Sequence, residues 1–164
     1  RRGDSWGTPE PLVGVSSPGY EASPVTDAAG NLYFSSMREG GIGQGDLYIA
    51  HLVGGTYQAA ELLPGSVNST DGEWNLLVDP AGQWLIYEAS SQERGLSSYG
   101  DLYLSRKEGD TWGTPEPLKT LNTTGSDLNP RLLPGAKELL LISSQFLRSP
   151  DTDVYVIPLE KIGL

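Results

Sequence analysis

The strongest constraint on this sequence is an internal repeat. The segment GDSWGTPEPL at residues 3–12 returns as GDTWGTPEPL at residues 109–118, with nine of the ten residues identical. A weaker copy, GTYQAAELL, lies between them at residues 55–63, so that Trp6, Tyr57 and Trp112 are equivalent positions. Self-similarity at a period of 51–55 residues indicates one supersecondary unit repeated along the chain.

Each unit contains four short segments that are typical of β-strands. They are apolar and rich in Leu, Ile, Val and Tyr, as in NLYFS, DLYIA, WLIYE and DVYVI. The chain has 21 Gly and 12 Pro, and no long stretch shows the apolar period of a helix. Four antiparallel strands per repeat are typical of a propeller blade. We therefore predict an all-β fold, a β-propeller with three four-stranded blades at about residues 21–63, 73–118 and 128–158.

The repeated units are out of phase with the chain. It begins with a segment of the fourth, outermost type and ends with a segment of the third type. A propeller closes best when one blade takes strands from both parts of the chain, because no frayed edge remains. We therefore predict that residues 5–12 form the outermost strand of the last blade, and that residues 1–164 form a single propeller segment.

The motifs DAAGNLYFSS, DPAGQWLIY, GDLYLS and ELLLISS recur in a consistent order within the units. This pattern resembles the TolB-like β-propeller repeat family, also called the WD-like repeat family. The third unit departs from it, because Ala136 stands where Gly30 and Gly82 supply the turn glycine. The resemblance implies about six blades, a periplasmic or secreted bacterial protein, and a binding scaffold without one fixed chemistry.

Three blades are too few to close a ring, since propellers typically carry 4–8. Two chains would supply the six blades that the resemblance implies, so we predict a two-fold homodimer that completes one ring. The N-terminal strand then completes the last blade of its own chain or that of its partner. The alternative is that this chain is a fragment of a larger propeller protein.

Charge and composition exclude several classes of function. The formal net charge is −10 and the basic residues are scattered, whereas nucleic-acid binders normally carry a basic patch. No apolar stretch approaches the roughly 20 residues of a membrane span. The absence of cysteine excludes disulfides, zinc–thiolate sites and a cysteine nucleophile. We therefore expect neither a nucleic-acid partner nor a membrane span.

An acid and a base recur around the third strand of each unit. We predict that an arginine and a carboxylate brace each hairpin loop, and the alternative is a ligand site in every blade. The acids open the third strands and the bases lie upstream of them, at Asp46, Asp101 and Asp153 and at Arg38, Arg94 and Arg148.

A second set of acids, Glu21, Glu73 and Asp127, precedes the first strands, which line the channel of a propeller. These acids are either turn carboxylates that bind nearby amides or a ring at the channel mouth that binds a ligand. We expect no cofactor, and a calcium-like cation at such a ring is the alternative. Trp74 and Trp84 do not recur in the other units, so each is either a packing residue or part of the same ligand site.

Little in the sequence indicates catalysis. His51 is the only histidine, and no G-x-S-x-G motif surrounds any serine. Asn68 and Asn122 begin two glycosylation sequons at equivalent places, which favours a shared role in a turn. We predict a non-catalytic scaffold that binds a protein or glycan partner, and the alternative is a hydrolase or lyase that acts at the channel on a polysaccharide or peptide.

Overall fold

The structure, a computed structural model, describes residues 5–90, 100–144 and 152–164. The predicted all-β class is confirmed, because the described chain consists of antiparallel sheets and one short 3₁₀ helix at Leu159–Ile162. Three sheets follow one another along the sequence. We call them sheet 1, sheet 2 and sheet 3.

Sheet 1 has the strand order β1-β2-β3-β6, and a small hairpin of β4 and β5 extends from β3. Its strands are β1 (Glu21–Thr26), β2 (Leu32–Ser36), β3 (Asp46–Ala50), β4 (Leu52–Val53), β5 (Thr56–Tyr57) and β6 (Glu61–Leu62). Sheet 2 has the order β7-β8-β9, and both β10 and β11 pair with β9. Its strands are β7 (Glu73–Val78), β8 (Trp84–Ala89), β9 (Asp101–Glu108), β10 (Thr111–Trp112) and β11 (Glu116–Pro117).

Sheet 3 has the order β12-β13-β14. Its strands are β12 (Asp127–Leu132), β13 (Glu138–Ser143) and β14 (Asp153–Pro158). Residues 6–12 lie outside the strands, and among the described residues sheet 3 has no fourth strand. Among the described residues, residues 6–12 therefore add no strand to sheet 3, and the assignment of residues 5–12 to the last blade stays a prediction.

The turns between the first two strands follow from their sequences. The Asp79 carboxylate accepts hydrogen bonds from the backbone amides of Gln83 and Trp84, and Asp27 accepts one from the amide of Asn31 at 2.9 Å. Gly82 then takes a left-handed conformation with φ 66°. In the third unit Ala136 adopts φ 52°, so the turn forms even without its glycine.

Alternate residues of each sheet face opposite ways, which gives the stack a direction. We call the face of a sheet that points toward the next sheet its leading face, and the opposite one its trailing face. The leading face of sheet 1 packs on the trailing face of sheet 2 through one core cluster, which contains Tyr33, Leu47, Ile49, Leu85 and Tyr87. The leading face of sheet 2 packs on the trailing face of sheet 3 through a second cluster, which contains Ile86, Leu102, Leu104, Leu139 and Leu141. The same seam therefore occurs twice.

A short linker joins each sheet to the next, and an asparagine fixes it. Asn68 accepts a hydrogen bond from the Leu47 amide at 2.7 Å and donates one to the Leu47 carbonyl at 3.1 Å. Asn122 does the same to Leu102, at 2.8 and 3.0 Å. Each side chain satisfies both backbone groups of one third-strand residue. This is the turn role that both sequons share.

The chain lacking the Asn122 side chain should be less stable. Asn122→Ala leaves the Leu102 amide without its partner and removes one of two hydrogen bonds to the Leu102 carbonyl, in a site that is 8% exposed. We expect the free energy of unfolding to fall by about 1–3 kcal/mol, measured by urea denaturation. Thr120→Ala, at an exposed position in the same linker, is the control and should change it little. An equal midpoint for the Asn122 variant and the parent would contradict the bracing role.

Candidate functional site

The acids predicted at the channel mouth are used by their own turns. Glu21, Glu73 and Asp127 are the first residues of β1, β7 and β12. Each accepts hydrogen bonds from a hydroxyl and a backbone amide four residues earlier, as Asp127 does from the Thr123 amide at 2.6 Å. Glu73 and Asp127 are fully buried. Their geometry is that of turn carboxylates that bind nearby amides.

The described residues also offer no cluster for a cation. Among residues 5–90, 100–144 and 152–164, no group of three histidine, cysteine or acidic side chains is placed to hold a metal ion. Glu21, Glu73 and Asp127 are therefore not gathered into one such group.

Arg38 is paired differently from the prediction. The ion pair that the structure shows for its guanidinium is with Glu21, at 3.4 Å, and not with Asp46. The guanidinium also donates to the Val15 carbonyl at 2.7 Å and lies over the rings of Phe34 and Tyr48. Arg38 thus fixes the N-terminal linker on the trailing face of sheet 1. Arg94 and Arg148 lie outside the described residues.

The acids that open the third strands do not share one environment. Asp46 is buried and accepts hydrogen bonds from the loop amides of Ile42 at 3.0 Å and Gly43 at 3.3 Å, so it braces its hairpin without an arginine. Asp101 is also buried, whereas Asp153 is exposed at the start of β14.

The two unrepeated tryptophans lie in different places. Trp74 in β7 is half-buried, lies against Gly45 and Gly72, and contacts Tyr20 at 6.2 Å between ring centroids. A side chain at either glycine would collide with the indole, so these glycines permit the contact. Trp84 in β8 is half-buried against the second core cluster. Trp74 and the exposed Tyr20 together form an aromatic surface beside β7.

The first strands share a feature that the sequence did not indicate. Each has an irregularity in its pairing with the second strand, between residues 22 and 25, 74 and 77, and 128 and 131. At each bulge a residue other than glycine is left-handed, namely Ser23, Asn75 and Asn129, with φ of 52°, 48° and 52°. Such backbone strain is concentrated at functional sites in proteins.

These bulges are linked to one another by side chains. The Ser23 hydroxyl donates to the Asn75 side-chain carbonyl at 2.6 Å, and the Asn75 amide donates to Glu88 at 2.7 Å. The Asn129 backbone amide also donates to Glu88. We call Ser23, Asn75, Glu88 and Asn129 the inner row. It connects all three sheets with polar groups along their first strands.

Glu88 is the only acid of the inner row and is 7% exposed. Burial raises the pKa of its carboxyl, against the hydrogen bonds from Asn75 and Asn129 that lower it. Repeat comparison missed this residue, because Ser35 and Ile142 occupy the equivalent positions in the other units. The available signal was an acid in an otherwise apolar strand, WLIYEA.

The comparisons with known proteins identify no relative. No family model matches the sequence, and no curated protein matches it either. Within the described parts of the chain, no helix is long and apolar enough to cross a membrane.

Glu88 and Glu21 should affect stability in opposite directions as pH changes. The raised pKa of Glu88 stabilises the fold at low pH, and this contribution is lost as pH rises above about 4.5. For Glu21, burial would raise the pKa, but hydrogen bonds from Ser17 and Ser36 and the charge of Arg38 lower it. Its contribution is therefore present above about 4.5 and lost as pH falls.

The measurement is urea denaturation of the parent, Glu88→Gln and Glu21→Gln at pH 4 and pH 7. Between pH 4 and pH 7 the parent should lose stability relative to Glu88→Gln and gain stability relative to Glu21→Gln. Parallel pH dependences for all three proteins would show that neither carboxyl is perturbed by its surroundings.

Proposed function

We propose that this chain is a β-propeller segment that serves as a non-catalytic binding scaffold. What supports the proposal is the seam that occurs twice between its sheets, each time leading face on trailing face. Stacking of that kind, repeated with the inner strands adjacent, is the arrangement of propeller blades. The buried acids serve their own turns, which leaves neutral groups of the inner row beside the first strands.

The two ends of the stack are apolar and unlike each other. The leading face of sheet 3 carries Val154 and Val156, which are 62% and 50% exposed. Leu140 and Ile142 face the same way, because they lie opposite these valines in the pairing of β13 with β14. The trailing face of sheet 1 has a small cavity of about 150 Å³ with a mostly apolar lining, which includes Leu12, Val15, Pro24, Leu32 and Phe34.

These two ends are the two halves of one further seam. Val154 and Val156 are equivalent to Leu47 and Ile49, which face sheet 2 inside the chain. Two copies, each presenting one half to the other, would bury both faces twice and complete a ring of six sheets. The proposal therefore includes a homodimer. Where the chain forms part of a longer protein, a further sheet of that protein would fill the same place.

The isolated chain should form a dimer of twice its 17.6 kDa mass in light scattering. Val156→Asp places a charge in the proposed seam and should shift the population to monomer, with at least a tenfold weaker dimer. Val53→Asp is the matched control, because Val53 is 60% exposed on the β4–β5 hairpin and is not part of the apolar cluster on the trailing face of sheet 1. A parent chain that stays monomeric at high concentration and unfolds cooperatively would contradict the dimer.

The ligand surface that we propose combines Ser23, Asn75 and Asn129 of the inner row with the aromatic pair of Tyr20 and Trp74. Asn75 and Trp74 of β7 both contact the start of sheet 1, Asn75 through the Ser23 hydroxyl and Trp74 through the Tyr20 ring. Neutral amides and hydroxyls with an aromatic face suit a ligand that is uncharged and rich in hydrogen-bonding groups. A glycan or a segment of a protein partner has that chemistry. The resemblance to TolB-like repeats favours a periplasmic or secreted setting for it.

Binding can be tested with a panel of soluble neutral polysaccharides, followed by tryptophan fluorescence. We expect saturable binding by at least one of them, and at least a fivefold loss of affinity in Tyr20→Ala, since Tyr20 is 62% exposed beside Trp74. Val53→Ala is the control for an exposed side chain elsewhere. Titrations without saturation across the panel would contradict the glycan ligand and leave the protein partner.

One observation favours the alternative function of a channel hydrolase. Glu88 is a buried carboxyl with a raised pKa, as is usual for a general acid. Glycoside hydrolysis needs a second carboxylate a few ångströms away, and the other acids of the first strands are engaged in their turns. Turnover of a polysaccharide that is abolished in Glu88→Gln would establish this alternative over the binding scaffold.

A further inference from the structure

The linkers before the three sheets occupy equivalent places. Val67 and Leu121 each cover the trailing face of the sheet that follows, in the first and second core clusters. Val15 does the same for sheet 1, where it packs with Leu32 and Phe34. The segment around Val15 is therefore folded in the same way as the linkers that precede sheets 2 and 3.

Upstream of each internal linker, the chain forms the outermost strand of the preceding sheet. In β6, Glu61 lies opposite Ile49, and in β11, Glu116 lies opposite Leu104. The strands continue with matching hydrogen bonds, since Leu63 and Leu118 donate to the carbonyls of Leu47 and Leu102, each at 2.9 Å. Both repeats use one register, so it can be transferred to the third.

The transfer identifies the missing partner of the N-terminal segment. Glu10 is equivalent to Glu61 and Glu116, while Val156 is equivalent to Ile49 and Leu104. The register therefore places Glu10 opposite Val156 in β14. Residues 6–12 are exposed and outside any strand, and Trp6 is 83% exposed although the equivalent Trp112 is 1% exposed. Among the described residues, the N-terminal segment and the open edge of β14 thus have matching sequence patterns but do not pair.

Distance explains why they do not meet. Leu12 and Val15 are three residues apart, which spans at most about 10 Å of extended chain. Val15 is fixed on the trailing face of sheet 1, and sheet 2 separates sheet 1 from sheet 3. Packed sheets are about 10 Å apart, so β14 lies roughly 20 Å away across the stack. Residues 6–12 can reach a sheet that adjoins sheet 1. Within one chain, sheet 3 does not adjoin sheet 1.

We propose that residues 6–12 of one copy add to β14 of a second copy as the outermost strand of its sheet 3. This exchange rests on the proposed dimer, in which sheet 3 of one copy adjoins sheet 1 of the other. It covers the exposed edge at Val154 and Val156, and it places Trp6 where Trp112 lies in sheet 2. The dimer is then held by two reciprocal strands as well as by its apolar seams.

Engineered cysteines test the exchange, since the chain has none of its own. The double variant Glu10→Cys, Val156→Cys should oxidise to a covalent dimer, which runs at twice the chain mass without reductant. A mixture of the two single variants should give a disulfide heterodimer. Directly opposed residues of antiparallel strands lie about 4.5–5.5 Å apart between Cα atoms, which suits a disulfide.

Two further variants serve as controls. Glu116→Cys with Leu104→Cys has the same register inside sheet 2 and should close a disulfide without a change of mass. Glu10→Cys with Glu138→Cys places the second thiol on β13, away from the open edge, and should not cross-link. A Glu10–Val156 disulfide that forms within single chains would overturn the exchange.

A dimer in light scattering that gives no cross-link would also overturn the exchange, while leaving the proposed dimer intact. A parent chain that is a monomer in light scattering overturns both. A readout without cysteine is hydrogen exchange of the β14 amides in the parent dimer. Glu10→Pro disrupts the strand opposite Val156 and should speed exchange of the Val156 amide at least tenfold, whereas Glu10→Gln should leave it unchanged. Equal rates in all three proteins would count against the strand addition.

Discussion

The geometry of the whole stack depends on a pair of hydrogen bonds. In each pair an asparagine side chain binds both the amide and the carbonyl of one third-strand residue. Asn68 and Asn122 tie a linker to the sheet just completed, and the apolar residue beside each of them, Val67 or Leu121, covers the sheet that follows. The asparagine that binds one sheet and the apolar residue that contacts the next are adjacent in sequence. The position of each sheet relative to the next is therefore fixed. Ser16 follows Val15 and is equivalent to the two asparagines. Its hydroxyl accepts a hydrogen bond from the Leu12 amide at 3.2 Å.

The buried carboxylates also form hydrogen bonds with groups that are only a few residues away in the sequence. Glu73, Asp127 and Asp46 are almost fully buried in a chain with 21 acids and 11 bases. Backbone amides of their own turns donate hydrogen bonds to all three, which offsets the cost of burying a polar group. Local backbone groups thus accommodate these buried acids, and Arg38 pairs with the partly exposed Glu21.

Repetition explains what the sequence could and could not predict. The strands, the Asp79 turn and the role of the sequon asparagines each recur, and recurrence separates a structural signal from chance. Arg38 was assigned to Asp46 because the two lie in one loop, but the long side chain reaches the linker across β2, a contact invisible to sequence distance. Glu88 and the left-handed Ser23, Asn75 and Asn129 were missed for a different reason. Nothing in their spacing reveals a bulge, since Ser and Asn are ordinary strand-end residues and the one acid does not repeat.

The two ends of the stack present different faces, a trailing face on sheet 1 and a leading face on sheet 3. Contacts between unlike faces are heterologous, so copies that join through them either close into a ring or continue as a filament. Closure depends on the small rotation between successive sheets, which the two internal seams already impose through their common linkers. An outer strand that belongs to the neighbouring copy favours closure, because every added copy must match both an apolar face and a strand edge in one register. An exposed edge such as β14 would otherwise accept any extended chain, and so the strand that fits it also protects it from aggregation.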